Sequence, residues 1–426
     1  MFKYKRWAGP VVGVVGISLL AACSSGSDAD TSSSVGGTEP VTIEWWHIQT
    51  QEPQRSVWQQ IADSFTADHP GVEIEITVQN DADFKTALDA RVQAQDVPDI
   101  FQTWGGGVLQ NQVDAGAVQD ITDATSSWIG NLTPAAVSVT NVDGVQYGVP
   151  YDAGLVGFWY NKALFAEAGI DAPPTTWDEF TADIQKLKDS GTTPIALGAA
   201  DKWPAMFYWA ELALASGGID VMDQAAVDGD FTGPAFVDAG DQIVDLVDMG
   251  AFQDGFLGAA YADASGQASL VANGKAAMEL MGSWAPGTQA SVAGNGEGLG
   301  DDLGWFPFPG VTDVGFGGVN SFAVGADAPA EAVEFLEYLA NDENQRLIGA
   351  AGQLLPVNPA AQDSIENPLQ LAIAQEFANV DRLQIYLDQA FAPAVATAIN
   401  DNVQAIFAKT LSPTDAAAAI TAAGQN

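Results

Sequence analysis

The chain has 426 residues, of which 47% are apolar and only 16% are charged, a composition typical of globular rather than disordered proteins. The formal net charge is −41, from 14 Lys and Arg against 55 Asp and Glu, which argues against nucleic acid as a partner because phosphate binding needs clustered cations. One cysteine and two histidines exclude an intrachain disulfide and do not supply the usual ligands of a zinc site, so we expect no metal and no cofactor.

The first 22 residues have the pattern of a signal peptide. Basic residues precede an apolar run, 7–20, that is short for a membrane span. The sequence LAAC at 20–23 resembles the bacterial lipobox, and its cysteine is the only one in the chain. We therefore predict lipidation of Cys23 and a location on the extracellular face of the cell membrane; a plain secretory signal is the alternative. Residues 23–40 are rich in Ser, Gly, Asp and Thr and predict a flexible tether.

The next part of the chain alternates strands with helices. The spacing of apolar residues predicts strands 41–47, 72–78 and 98–104 and helices 54–69 and 84–95. Such alternation indicates a parallel α/β sheet, in which ligands lie beyond the carboxyl ends of the strands. Candidate ligand contacts are therefore the residues that end these three strands.

After residue 150 an apolar run, 156–160, predicts a strand buried on both faces. Thr176 and Glu179 have the spacing of a capping box at the start of a helix. Further along, the pattern predicts strands 195–197, 276–281 and 319–324, an extended link at 303–309, helices 234–249, 330–340 and 343–350, a helix that ends at 217, and a helical segment from 371 onward.

Three motifs carry a family resemblance. VPYD at 149–152, WYNK at 159–162 and PPTTWDEF at 173–180 resemble the signature of the extracellular sugar-binding proteins of ABC importers, the maltose-binding-protein-like family. The resemblance implies an α/β, two-lobed periplasmic-binding-protein-like fold, with a ligand cleft between the lobes and multiple hinge crossings. The expected division is an N-lobe of 41–150 and 306–370 and a C-lobe of 151–305 and 371–426.

A sugar has flat C–H faces and hydroxyl edges, so its site needs aromatic side chains and convergent polar groups. In the N-lobe these criteria select His47, Gln49, Glu52, Asn80, Trp104 and Gly105, and in the C-lobe they select Tyr151, Asp152, Lys202, Trp203 and Trp284. The glycines that begin at Gly105 would let the backbone and a ligand approach closely. The resemblance adds Asn320, Gln384 and Tyr386 and implies that Trp284, in a Gly-x-Trp turn, is a stacking platform.

Several of these residues have an alternative interpretation. His47 could instead be a structural histidine, and Trp203 could instead be a core residue. Asp152 has the alternative of a hinge hydrogen bond. Gln384 and Tyr386 have the alternative of a buried helical face.

The functional hypothesis is a lipid-anchored, monomeric binding protein, not an enzyme, that binds a neutral di- or oligosaccharide and delivers it to the membrane permease of an ABC importer. WWHIQ at 45–49 and TWGGG at 103–107 resemble actinobacterial binders of xylo-oligosaccharides such as xylobiose. The alternatives are a secreted glycoside hydrolase, for which paired carboxylates would suffice although the sequence has no hydrolase motif, a binder of a non-sugar solute on the same fold, and a structural or adhesive surface protein.

Overall fold

Two β-sheets organise the part of the chain that the structure, a computed structural model, describes, namely residues 40–311, 314–379 and 382–425. The predicted signal peptide, Cys23 and the tether as far as residue 39 lie outside the described residues. No helix within the described ranges combines the length and apolarity that a membrane span requires.

Strands and helices alternate along much of the chain. The strands are β1 (Val41–His47), β2 (Val72–Val78), β3 (Ile100–Thr103), β4 (Asn141–Val142), β5 (Val145–Gln146), β6 (Gly148–Leu155), β7 (Gly157–Asn161), β8 (Thr193–Ile195), β9 (Ala276–Met281), β10 (Leu303–Phe306), β11 (Val314–Val324), β12 (Leu355–Pro356) and β13 (Arg382–Ile385). The helices are α1 (Gln54–Asp68), α2 (Asp81–Ala94), α3 (Gly106–Asp114), α4 (Thr122–Thr125), α5 (Pro134–Val139), α6 (Lys162–Glu167), α7 (Trp177–Asp189), α8 (Trp203–Gly217), α9 (Ile219–Asp228), α10 (Pro234–Asp248), α11 (Gln267–Ala272), α12 (Ala285–Val292), α13 (Ala330–Ala340), α14 (Asp342–Ala350), α15 (Pro368–Asn379), α16 (Leu387–Ala390), α17 (Pro393–Phe407) and α18 (Pro413–Gly424).

The larger sheet has the strand order β12-β6-β11-β3-β1-β2, and β13 pairs with the first part of β11. Its strands β1, β2 and β3 are parallel, as the alternating pattern predicts. The pairs β3–β11, β11–β6 and β6–β12 are antiparallel, so the sheet is mixed and not purely parallel. Trp45 and Trp46 pack into different apolar clusters, which shows that both faces of β1 are covered.

The smaller sheet has the order β10-β7-β9-β8. Its central strand β7 includes Phe158 and Trp159, which are fully buried, in agreement with the prediction from the apolar run. Strand β8 ends at Ile195, earlier than predicted. The helices α8, α10, α17 and α18 pack on one another and belong to the same apolar cluster as this sheet.

The chain passes from the larger sheet to the smaller one at Val156. This point is later than the predicted boundary between residues 150 and 151, because β6 still pairs with β11 and β12. The return falls between Phe306 and Val314, later than the predicted boundary between residues 305 and 306. The first four residues of the predicted extended link form β10, which pairs with β7 in the smaller sheet. The predicted helical segment after residue 371 is interrupted by β13, which pairs with β11 in the larger sheet.

Local signals fix the start of α7. The Thr176 hydroxyl accepts the Glu179 backbone N–H at 3.3 Å, and the Glu179 carboxylate accepts the Thr176 N–H at 3.2 Å, which confirms the predicted capping box.

Candidate ligand-binding cleft

A cavity of about 290 Å³ lies between the two sheets. Its volume is close to the lower end of the range of roughly 300–1,000 Å³ that is common for small-molecule sites. The lining residues come from α2, α8, α12, α16, β11 and the segments that connect the elements. They include Gln49, Asn80, Asp81, Lys85, Trp104, Trp203, Phe207, Tyr261, Trp284, Thr288, Asn320, Gln353, Tyr386, Asp388 and Gln389.

An aromatic wall forms the side of the cavity next to the smaller sheet. The Trp203 ring centroid lies 6.3 Å from that of Trp284 and 5.2 Å from that of Tyr261. Trp284 also makes an edge contact with Tyr386, with centroids 6.0 Å apart. Tilted and edge-on rings of this kind hold one another in fixed orientations and leave apolar faces for a flat ligand.

Two glycines provide the space in which these rings sit. A methyl group added at Gly282 would lie 2.1 Å from the Trp284 ring, and one added at Gly318 would lie 2.1 Å from the Tyr386 ring. No real Cβ atom tolerates such a contact, so both ring positions depend on glycine.

The opposite side of the cavity combines Trp104 with charged groups. The Lys85 ammonium lies 4.8 Å from the centroid of the Trp104 ring and donates to the Asp81 carboxylate at 3.0 Å. Asp388 also lines the cavity. Burial raises the pKa of Asp388, while the charge of Lys85 opposes that rise. Two acids with one cation favour a neutral ligand over an anion.

A chain of hydrogen bonds runs across the larger sheet beneath the cavity. Gln49 Nε2 donates to the Tyr151 hydroxyl at 3.2 Å, which donates to Gln102 Oε1 at 2.7 Å. Gln102 Nε2 donates to Asn320 Oδ1 at 3.0 Å, and Asn320 Nδ2 donates to Asp152 Oδ2 at 2.6 Å. Two members of this hydrogen-bond chain, Gln49 and Asn320, line the cavity.

Two buried carboxyls lie close to the cavity walls. Burial raises the pKa of Asp152 to about 7, although Asn320 and the Leu355 N–H donate to it. Burial also raises the pKa of Glu279 to about 7, and Gln289 Nε2 donates to its Oε1 at 2.7 Å.

The predicted site residues divide into two groups. The cavity is lined by Gln49, Asn80, Trp104, Trp203, Trp284, Asn320 and Tyr386. The residues that do not line it are His47, Glu52, Gly105, Tyr151, Asp152, Lys202 and Gln384.

His47, Glu52 and Gly105 support neighbouring backbone. His47 is fully buried, its Nδ1 accepts the Gln49 N–H at 3.2 Å, and burial followed by the charge of Arg55 lowers its pKa to about 3, so the ring is neutral. Glu52 accepts from the Ser56 hydroxyl at 2.6 Å at the start of α1. A methyl at Gly105 would lie 2.3 Å from Val139, so the close approach that this glycine allows is to the protein itself.

The remaining four residues also have partners within the protein. Lys202 pairs with Asp401 on α17, and Gln384 Nε2 donates to the Ile385 carbonyl at 2.8 Å. Tyr151 and Asp152 are buried beneath the cavity as members of the hydrogen-bond chain.

Sequence reasoning missed several lining residues. Lys85 and Asp81 lie on α2, one turn apart, and their i,i+4 spacing shortly after β2, which ends at Val78, was an available signal. Tyr261 follows an irregular segment, and Asp388 lies on α16, which contacts α3 through tertiary packing. No local pattern marks these two positions.

Among the described residues, the acidic side chains that line the cleft are Asp81 and Asp388. Within the described ranges no group of three or more His, Cys, Asp or Glu residues has the arrangement needed to hold a metal ion. The arrangement suits a ligand held by ring contacts and hydrogen bonds.

Two binding proteins are similar to this chain in sequence over most of its length. A diacetylchitobiose-binding protein of Streptomyces coelicolor is 25% identical over 377 residues, which cover 85% of this chain and 84% of that protein. An uncharacterized ABC transporter extracellular-binding protein of Pyrococcus horikoshii is 26% identical over 379 residues, which cover 87% of this chain and 84% of that protein.

Two solved structures are similar to this chain in fold. A chitin oligosaccharide binding protein is similar with a TM-score of 0.81 and 26% identity, and the match covers 90% of this chain and 98% of that one. A protein from a study of xylan utilization by the thermophilic bacterium Caldanaerobius polysaccharolyticus is similar with a TM-score of 0.82 and 28% identity, over 90% of this chain and 99% of that one.

The family model described as bacterial extracellular solute-binding protein matches residues 49–346. The two-sheet architecture is that of the two-lobed solute-binding proteins. This chain therefore belongs to the bacterial extracellular solute-binding proteins.

Proposed function

We propose that the chain binds a neutral di- or oligosaccharide in the cleft and presents it to the permease of an ABC importer. The observation that carries this proposal is a cavity lined by rings from both lobes, with Trp203, Tyr261 and Trp284 beside the smaller sheet and Trp104 beside the larger one. Rings on both sides match the two apolar faces of a pyranose, and the amides of Gln49 and Asn320 match hydroxyl groups.

The substrate class rests on chemistry and on relatives. The acidic lining disfavours phosphorylated or carboxylated sugars. Relatives named for diacetylchitobiose and chitin oligosaccharides, and one studied for xylan utilization, make short β-linked oligosaccharides the first candidates. Xylobiose is the specific candidate suggested by the motifs at 45–49 and 103–107.

The remaining parts of the proposal concern presentation to the permease. The chain acts as a monomer held by a lipid on Cys23, and the two lobes close over the sugar by rotation about the crossings near Val156, between Phe306 and Val314, and after β13. Binding shifts the population toward the closed form, and no bond of the sugar is broken.

A thermal-shift panel tests the proposal. It uses residues 40–426, which form one compact unit, with xylobiose, diacetylchitobiose, maltose and raffinose, and with glucose 6-phosphate as an anionic control. A sugar at a hundred times its Kd adds about 2.7 kcal/mol of stability, which raises the melting temperature clearly. We expect a shift with at least one neutral sugar, none with the phosphate, and no cleavage product by chromatography. No shift with any neutral sugar would contradict the proposal, and cleavage products would indicate a hydrolase.

A further inference from the structure

We propose that Asp152, although it does not line the cleft, is a positioning residue that fixes the direction of the buried hydrogen-bond chain, so that Gln49 presents its carbonyl oxygen to the sugar. This inference rests on the proposed function, because it concerns which atom of Gln49 meets the ligand. The chain links Asp152 through Asn320, Gln102 and Tyr151 to Gln49.

The direction follows from the two donors that Asp152 meets. Its Oδ1 accepts the Leu355 backbone N–H and its Oδ2 accepts the Asn320 amide, so Asn320 turns its NH₂ group toward Asp152 and its carbonyl oxygen toward Gln102. Gln102 must then donate to that oxygen, and its own carbonyl accepts from the Tyr151 hydroxyl.

The last link lies at the cleft. Since the Tyr151 hydroxyl hydrogen is used on Gln102, its oxygen can only accept, and Gln49 must donate to it through Nε2. The Gln49 carbonyl oxygen is left over, and Gln49 lines the cavity. An acceptor in this position suits a sugar hydroxyl that donates.

Three of the five members of the hydrogen-bond chain are shielded from water. Gln102 and Tyr151 have no exposed surface, and Asp152 is 3% exposed. A buried polar group without a partner costs about 1–3 kcal/mol, so the Gln102 amide is held to the orientation that satisfies both of its neighbours.

An irregularity in β6 lets two consecutive residues, Tyr151 and Asp152, take part in the same hydrogen-bond chain. Asp152 is opposite Asn320 and Pro150 is opposite Ser321, so Tyr151 is the extra residue of a bulge. A regular strand would point Tyr151 and Asp152 to opposite faces. Bulges of this kind re-aim side chains, and Pro150, which lacks an N–H, is tolerated there.

A second contact fixes the far end. The Leu355 backbone N–H donates to Asp152 Oδ1 at 2.7 Å. In an Asp152→Asn variant the amide oxygen must stay opposite this N–H, because an NH₂ group there would face a donor. The new NH₂ group then faces Asn320.

Asp152→Asn should therefore reverse the direction of donation in every hydrogen bond of the chain. Asn320 and Gln102 exchange the roles of their amide ends, and the Tyr151 hydroxyl donates to Gln49. Gln49 then accepts through its oxygen and offers NH₂ to the sugar in place of the carbonyl. The sugar hydroxyl that donates to the Gln49 oxygen in the wild type would have to turn and accept, and its hydrogen would lose this acceptor.

The test uses the full-length chain, and its probe is whichever of xylobiose, diacetylchitobiose, maltose and raffinose binds the wild type most tightly by calorimetry. Asp152→Asn should weaken binding of that sugar at least tenfold. Adding Gln49→Glu should restore affinity to within about threefold of wild type, because a carboxylate accepts from the reversed Tyr151 hydroxyl and again offers an oxygen. Gln49→Glu alone should weaken binding, because the Tyr151 hydroxyl oxygen of the wild type needs a donor at position 49 and a carboxylate cannot donate.

The controls separate this role from loss of fold. Asp183→Asn changes a buried aspartate on α7 that accepts from Lys186 at 2.8 Å and does not line the cleft, and it should leave affinity unchanged. Thermal unfolding of each variant confirms that it is folded. If Asp152→Asn does not fold, Tyr151→Phe, which interrupts the chain at its middle, should still weaken binding at least fivefold.

The outcomes distinguish the two proposals. Wild-type chain that binds none of the four sugars contradicts the proposed function and this inference with it. If the wild type binds a sugar and folded Asp152→Asn binds it with equal affinity, the inference alone is overturned. The same holds if Asp152→Asn loses affinity and adding Gln49→Glu does not restore it. For the fallback variant, unchanged affinity of Tyr151→Phe likewise overturns it.

Discussion

Gly282 and Trp284 act as a unit at the scale of single residues. The Trp284 ring lies over Gly282, where a methyl group would stand 2.1 Å from ring atoms. The Gly-x-Trp spacing is therefore a steric requirement of the ring position as well as a family feature.

Trp284→Ala should weaken binding of a neutral disaccharide at least tenfold, which corresponds to about 1.4 kcal/mol, because a face of the aromatic wall is lost. Gly282→Ala should have a similar effect by displacing the ring. Calorimetry measures both. Trp177→Ala is the matched control, because Trp177 does not line the cavity and should not change affinity. Unchanged affinity of Trp284→Ala would remove this ring from the site.

Glu279 gives a prediction about pH. Its pKa is about 7 in the folded protein and about 4.5 when unfolded, so between these values the folded state holds a proton that the unfolded state has lost. The free energy of unfolding should therefore decrease as the pH rises from 4.5 to about 7, by roughly 3 kcal/mol from this group.

Glu279→Gln removes the titration and keeps an oxygen that can accept from Gln289. Urea unfolding at pH 4.5 and pH 7.5 should show the variant gaining stability relative to wild type as the pH rises. The same stability difference at both pH values would mean that Glu279 does not titrate in this interval.

At the scale of elements, the contact between α3 and α16 shapes one end of the cleft. A methyl group at Gly107 on α3 would lie 2.3 Å from the Phe391 carbonyl oxygen, just after α16. Helix α16 carries Asp388 and Gln389, which line the cavity. The glycines after Trp104 thus permit close packing of two segments of the protein.

Gly107→Ala should push α16 away and weaken sugar binding at least tenfold, with a stability cost of about 1–3 kcal/mol. Gly130→Ala is the matched control, because no atom lies within 4 Å of the added methyl. Calorimetry on the two folded variants measures the difference. Equal affinities would show that α16 does not shape the site.

The same elements show what sequence can and cannot predict. Gln49, Asn80 and Trp104 are predictable because each follows a strand whose end is recognisable from local periodicity. Tyr261 and Asp388 are not, because tertiary packing brings their segments to the cleft. The burial of Tyr151 depends on register with β11, which no local pattern contains.

At the scale of the whole molecule, the cleft is built from both sheets and the chain changes sheet at Val156 and between Phe306 and Val314. Few covalent connections between two packed bodies permit rotation about the crossings. The motifs VPYD and WYNK predicted correctly that a first crossing exists. The crossing lies between the two motifs, and neither motif gives its exact position. The pairing of β6 with β12 fixes its position.

Solution scattering with and without sugar tests most directly whether ligand binding closes the two lobes. The measurement uses residues 40–426 and the neutral sugar that gives the largest thermal shift. The radius of gyration should fall and saturate over the same sugar concentrations as binding, and Trp284→Ala should need more sugar for the same change. An unchanged radius of gyration at saturating sugar would contradict closure around a ligand in this cleft.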